Sequence, residues 1–125
     1  MRILLIEDHQ ACAEGFVLLM EEYLPEASVT HCTTLQDAAD ALEQDPPFDV
    51  IVLDLSLPDA KETVGVRLLV RLAPDIPIIV YTAYPQYRAA CAEQGVGIYL
   101  IKANVDGQDL ADTVRRVIES TQRGG

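Results

Sequence analysis

The sequence predicts an α/β domain in which one parallel sheet is covered on both faces by helices, and two observations carry that prediction. Short apolar runs, too brief for helices, alternate with longer segments of helical periodicity, and the connections between them are short. Strand followed by helix, five times over, implies right-handed crossovers and a (βα)5 doubly wound sheet.

The elements follow in chain order. Ile3 to Ile6 is the first strand. Phe16, Leu19, Met20 and Tyr23 then recur at intervals of three and four until Pro25 ends the helix. Val29 to Cys32 alternates with Ser28, Thr30 and His31, as an edge strand with one wet face would, so it is placed second in sequence and outermost in space. Leu35, Ala38, Ala39 and Leu42 form the next helical stripe behind a Thr34 cap. Val50 to Leu53, Ile78 to Tyr81 and Ile98 to Ile101, like the first strand, are rich in Ile and Val and bounded by polar or turn-forming residues. Runs of that kind are expected at the centre of a sheet. Helices are expected over about Val64 to Leu72, ahead of Pro74, and about Gln86 to Gln94, with Gly95 supplying a left-handed residue after the end. The last helix starts at Asp106 and turns Leu110, Val114, Val117 and Ile118 inward.

With 125 residues, half of them apolar, the chain can bury one core and not two. Residues 1–121 are expected to form the domain, with 122–125 a disordered tail or the start of a linker. Nine Lys and Arg against twenty Asp and Glu give a net charge of -11, which repels nucleic acid phosphates and anionic membrane surfaces. Direct nucleic acid binding and membrane association are therefore not expected. No apolar run approaches the roughly 20 residues that span a bilayer, and the first residues lack a secretory signal, so a cytoplasmic location is expected. Cys12, Cys32 and Cys91 are odd in number and far apart, which suggests buried reduced thiols rather than disulfides or a zinc site.

Ligands of an open parallel sheet bind beyond the carboxyl ends of its strands. Glu7 and Asp8 follow the first strand, Asp54 the third, Thr82 ends the fourth and Lys102 the fifth. Singly, each reads as a turn former or a helix cap. In the order 2-1-3-4-5, however, the first and third strands are neighbours, so Glu7, Asp8 and Asp54 converge and repel unless something compensates. An all-oxygen site of few carboxylates suits Mg2+. A cation beside a carboxylate, a hydroxyl and an ammonium can handle a phosphoryl group, with Asp54 as the nucleophile and Lys102 and Thr82 contacting its oxygens.

The chain resembles the receiver domain of bacterial response regulators, a flavodoxin-like fold of two-component and phosphorelay signalling. The resemblance rests on Leu4-Leu5-Ile6-Glu7-Asp8-His9, on Asp49 through Asp59, on Pro77-Ile78-Ile79-Val80-Tyr81-Thr82-Ala83, and on Gly95 through Lys102. It implies that Asp54 accepts phosphate from a histidine kinase or phosphotransfer protein. It also implies that Glu7, Asp8, Asp54 and the backbone carbonyl of Ser56 hold Mg2+, and that Lys102 contacts the phosphoryl group. Thr82 and Tyr99 match the family's switch pair, with an output surface on the fourth helix, fifth strand and fifth helix for an effector domain or a homodimer. An alternative is an interaction module of the same fold that is not phosphorylated. An enzyme acting on small molecules is disfavoured: there is no Gly-x-Gly-x-x-Gly or Walker loop, and Ser56 stands where haloacid-dehalogenase-like phosphatases need a second Asp.

Two departures from the family matter. Ala103 replaces the usual Pro after the Lys, and because a cis bond before a non-proline residue costs about 2.5–4 kcal/mol, a trans Lys102–Ala103 bond and a re-aimed loop are expected. Glu62 stands where many relatives have Gly, which predicts an irregular start to the third helix. Of the smaller features, His9 reads as an early-helix surface residue and His31 as an edge-strand residue without a role. Tyr84 and Tyr87 are candidates for partner contact, and Glu43 to Asp45 is solvated surface.

Overall fold

The computed structural model describes residues 1–43 and 47–124, with side chains described as far as Thr121. Five parallel strands, β1 (Arg2–Ile6), β2 (Ser28–Cys32), β3 (Val50–Leu53), β4 (Ile78–Thr82) and β5 (Ile98–Ile101), lie in the order β2-β1-β3-β4-β5. Between and after them come α1 (Gln10–Tyr23), α2 (Leu35–Leu42), α3 (Val64–Leu72), α4 (Arg88–Glu93) and α5 (Gly107–Gly124). This is the flavodoxin-like arrangement that the alternation of strand and helix predicts. Among the described residues no helix is long and apolar enough to cross a membrane. Gln44 and Asp45 of the acidic stretch at 43–45, and the expected tail at 122–125, lie outside the described residues or side chains.

The period of two along each strand divides its side chains between two cores. Leu4, Ile6, Ile51, Leu53, Ile78 and Val80 face α2, α3 and α4. Ile3, Leu5, Val50, Val52 and Ile79 face α1 and α5, where Phe16, Met20, Leu110, Val114 and Ile118 meet them. Both faces are dry along β1 and β3, which explains their uninterrupted apolar runs. Burying a side chain of this size contributes about 1.5–3 kcal/mol, so these central strands anchor the edge from which the polar residues project.

Three expectations are corrected. β5 is not central but forms the second edge of the sheet, because the order 2-1-3-4-5 leaves only β4 beside it. It reads as apolar because Tyr99 is covered from the α4 side, while Ile98 and Leu100 are half-covered from the α5 side. The fourth helix is shorter than predicted: Gln86 and Tyr87 form a turn ahead of Arg88, as Tyr84 and Tyr87 fold edge-to-face with centroids 6.2 Å apart. Cys32 and Cys91 are buried free thiols, but Cys12 is only partly buried, since the first turn of α1 lies at the rim of the sheet. Gly95 does follow α4 in the left-handed region, with φ +96°. Asp106 accepts from Asp109 N–H at 2.8 Å and so caps α5.

The segment after β3 is held by α2. Thr34 Oγ1 accepts from Asp37 N–H at 3.1 Å, and the two carboxylate oxygens of Asp59 accept from Leu35 N–H at 2.8 Å and Gln36 N–H at 3.0 Å. A carboxylate from the β3–α3 segment thus satisfies two of the free donors at the start of another helix. The expected irregularity before α3 is present: Glu62 has φ +57°, a conformation disfavoured for any residue with a Cβ.

Two outcomes are expected. Asp59→Ala lowers unfolding free energy at pH 7 by about 1–2 kcal/mol in urea titrations. The Leu35 N–H, and then that of Gln36, hold the Asp59 carboxyl below its ordinary value of 3.8, so its contribution is full above that value and is lost as pH falls through the lower folded value. The difference between wild type and Asp59→Ala therefore shrinks at pH 2–3. Glu62→Gly raises stability by about 1 kcal/mol, and an equal or lower urea midpoint would contradict the strain at this residue.

Candidate functional site

Parallel pairing brings every strand's carboxyl end to one edge. Ile6 pairs with Leu53, and Asp54 N–H donates to the Ile6 carbonyl at 3.0 Å, so Glu7 and Asp54 leave the sheet side by side. On the far side Thr82 pairs with Ile101, which places Lys102 immediately beyond β5, at the start of a short 3-10 turn (Lys102–Asn104). Three strand spacings, about 14 Å, separate β5 from β1. Lys102 and Glu7 bridge that distance from opposite sides. The Lys102 Nζ lies 2.5 Å from Glu7 Oε1 and 3.2 Å from Asp54 Oδ2, and passes 5.6 Å from the Tyr81 ring centroid.

Glu7 is 2% exposed and Asp54 4%. Burial raises the pKa of Glu7, and its contact with Asp54 raises it further, against the opposing pull of Lys102. Burial pushes Asp54 upward too, but the hydrogen bond from Glu7, the charge of Lys102 and the Thr82 hydroxyl outweigh it, and Asp54 ends below its ordinary value. Of the two, Asp54 is the one whose charged form its surroundings favour. Burial disfavours the Lys102 ammonium, yet hydrogen bonding to Glu7 and the charge of Asp54 raise its pKa well above the usual lysine value. The two carboxylates thus favour the charged form of Lys102.

Carboxylate oxygens of Glu7, Asp8 and Asp54 all lie within 4.8 Å of one another, with Asp8 exposed and the other two buried. Three carboxylates against one ammonium leave a negative surplus in a partly dry site, and its all-oxygen donors suit a hard divalent cation such as Mg2+. Ser56 takes part through its side chain, which the sequence did not reveal. Its hydroxyl donates to Asp54 Oδ2 at 3.0 Å, and its N–H approaches Oδ1 at 3.4 Å.

Thr82 is fully buried, and its Oγ1 accepts from Tyr84 N–H at 3.4 Å. The Tyr99 hydroxyl donates to the carbonyl of the same residue, Tyr84, and its buried ring lies under the Arg88 guanidinium at 5.1 Å. One residue of backbone thus joins Thr82 to Tyr99. Tyr84 and Tyr87 also line a groove of about 440 Å3 that runs from Asp8 past Ser56 and Lys61. His9 is exposed, and only its N–H engages the site, donating to Glu7 Oε2 at 3.2 Å. His31 departs from its expected lack of a role: its Nε2 is 2.7 Å from the Glu7 carbonyl. The sequence grouped His31 with the wet-face residues Ser28 and Thr30, whereas it is half-buried on the Val29 side, and the contact depends on how β2 is registered against β1.

Removing the ammonium leaves two buried carboxylates facing each other. Lys102→Met is expected to cost about 2 kcal/mol in urea unfolding at pH 7 without divalent cations, less than for a fully enclosed pair because Lys102 keeps a wet edge and Glu7 can take up a proton. Unchanged stability would show that the two contacts of Lys102 contribute nothing.

Comparison with known proteins matches the same edge and the same sheet. The family profile described as response regulator receiver domain matches residues 3–115. Comparison with curated proteins gives no match. Among solved structures, a CheY-like response regulator receiver domain protein from Methanospirillum hungatei superposes with a TM-score of 0.86 at 21% identity, covering 99% of this chain and 98% of that one. The signal receiver domain of a putative Luxo repressor protein from Vibrio parahaemolyticus gives 0.85 at 22%, covering 98% and 93%. The beryllofluoride-activated NtrC4 receiver domain dimer gives 0.82 at 22%, covering 96% and 98%. At these identities the superpositions show the fold, and the profile, which spans all five strands and the acidic edge, shows the family: the chain belongs to the response regulator receiver domains.

Proposed function

We propose that the chain is a cytoplasmic phosphoacceptor that takes a phosphoryl group onto Asp54 from a phosphohistidine of a histidine kinase or phosphotransfer protein. The observation that carries this reading is the convergence of Glu7, Asp8 and Asp54 within 4.8 Å, with Lys102 bonded to two of them. An Asp54 carboxylate oxygen forms the new O–P bond while the P–N bond to the donor imidazole breaks, and the imidazole nitrogen keeps the electron pair and takes up a proton. Lys102 is placed to exchange its contact with Asp54 for one with a phosphoryl oxygen, and the Thr82 hydroxyl can donate to another. Mg2+, held by Glu7, Asp8, Asp54 and the Ser56 carbonyl, would offset charge on the phosphoryl oxygens. Ser56 Oγ orients the nucleophile by bonding Asp54 Oδ2.

Phosphorylation places a dianion where Thr82 already points. A Thr82 hydroxyl drawn toward the new oxygens releases Tyr84 N–H, and Tyr84 carries that change to Tyr99 and so to α4, β5 and α5. That surface would serve an effector domain or a second copy, as a shift between two pre-existing states. The unphosphorylated interaction module has no observation of its own in its favour, since every residue that the phosphoryl chemistry needs is present on one edge.

Incubation with a small phosphodonor and Mg2+ is expected to add one phosphate to the wild type, read by intact mass, and none to Asp54→Asn or to wild type in excess chelator. Equal labelling of wild type and Asp54→Asn would overturn the assignment of the acceptor.

A further inference from the structure

Beyond Ile6 and Cys32 the ladder between β1 and β2 comes apart. Glu7 N–H still donates to the Cys32 carbonyl at 2.9 Å, but the chain then turns away from the sheet into α2. The Glu7 carbonyl has thereby lost the backbone donor that a longer β2 would offer. A side chain meets it instead: His31 Nε2, at 2.7 Å. A carbonyl can only accept, so the ring carries a proton on Nε2 and donates it.

Other bonds at this point of the chain hold the Glu7 side chain, Lys102 on Oε1 and His9 N–H on Oε2. Asp8 is different. It is exposed, and among the described residues its carboxylate has no hydrogen-bond partner, so its direction depends on its backbone. The peptide unit is planar, so fixing the Glu7 carbonyl also fixes the Asp8 N–H and Cα.

We propose that His31 is a positioning residue for the carboxylate cluster. By holding the Glu7 carbonyl it sets the plane of the Glu7–Asp8 peptide and hence the aim of the Asp8 carboxylate toward Asp54. The proposal rests on reading Glu7, Asp8 and Asp54 as a Mg2+ site, and extends that site to a side chain on the edge strand, outside every motif that marks the family resemblance. His31 acts on the site as the outer partners of metal ligands do, through a ligand and not on the ion.

Mg2+ titration of 15N-labelled wild type, His31→Leu and His31→Gln, followed at the amides of Glu7, Asp8 and Asp54, tests this. His31→Leu is expected to raise the Mg2+ Kd about tenfold. His31→Gln, whose amide can donate to the same carbonyl, is expected to stay within about threefold. Both variants should keep their metal-free Tm within about 4 °C of wild type, so a loss of affinity would not reflect a loss of fold. Wild-type Mg2+ binding with an unchanged Kd in His31→Leu, or an equal loss in both variants, would overturn the role of His31 alone. Absence of any Mg2+ response in the wild type would overturn the metal site itself. In the wild type, a long-range 15N correlation spectrum should show the Nε2–H form of His31, and a ring protonated only on Nδ1 would overturn the proposal without any variant.

Discussion

Glu7 and Asp54 are nearly excluded from water and lie next to each other, and one ammonium, that of Lys102, answers both. Two unit charges 4 Å apart interact by about 4 kcal/mol at an effective dielectric of 20, so the pair is tenable only with a cation or a shared proton. Lys102 supplies part of that compensation, and burial together with Asp54 still raises the pKa of Glu7. The same imbalance prepares the site for its proposed work. A divalent ion finds acceptors already gathered, and a phosphoryl group finds an ammonium already aimed at the atom it would join.

Such a cluster exists because the sheet is parallel. Each strand delivers its carboxyl end to the same edge, and the buried residues of β1 and β3 hold Glu7 and Asp54 in place over two dry cores. The loops that finish the site have few backbone partners of their own, and side chains stand in for them. Asp59 caps the start of α2, His31 takes the Glu7 carbonyl, and Asp106 caps α5. Asp59 also ties the segment after Asp54 to a neighbouring helix, so displacement near Asp54 is not confined to its own loop.

Tyr84 gives the proposed switch its mechanical form. Its N–H belongs to Thr82 and its carbonyl to Tyr99, so a fully buried hydroxyl near Asp54 and a buried ring beneath Arg88 are separated by a single residue of backbone. The Tyr99 ring packs in the core on the α4 side of the sheet, while Ile98 and Leu100 face α5. A change at the carboxylate edge would therefore reach both sides of β5, which among the described residues pairs on one side alone.

Much of this was legible in the amino-acid sequence. Apolar runs of four placed the strands, and alternation in Ser28–Cys32 marked an edge. The polar residues terminating four strands gathered on one rim once the strand order was supplied, and Glu62, standing where many relatives have Gly, announced an irregular start to α3. These features are local: periodicity, propensity and backbone sterics act within a few residues. The turn that shortens α4, the Ser56 hydroxyl on Asp54, the Asp59 cap on α2 and the bond from His31 to Glu7 came only with the tertiary structure. Most of them depend on which groups of distant segments come within 3 Å, and a hydrogen bond that short is decided by strand register and loop direction, which no pattern within one segment encodes.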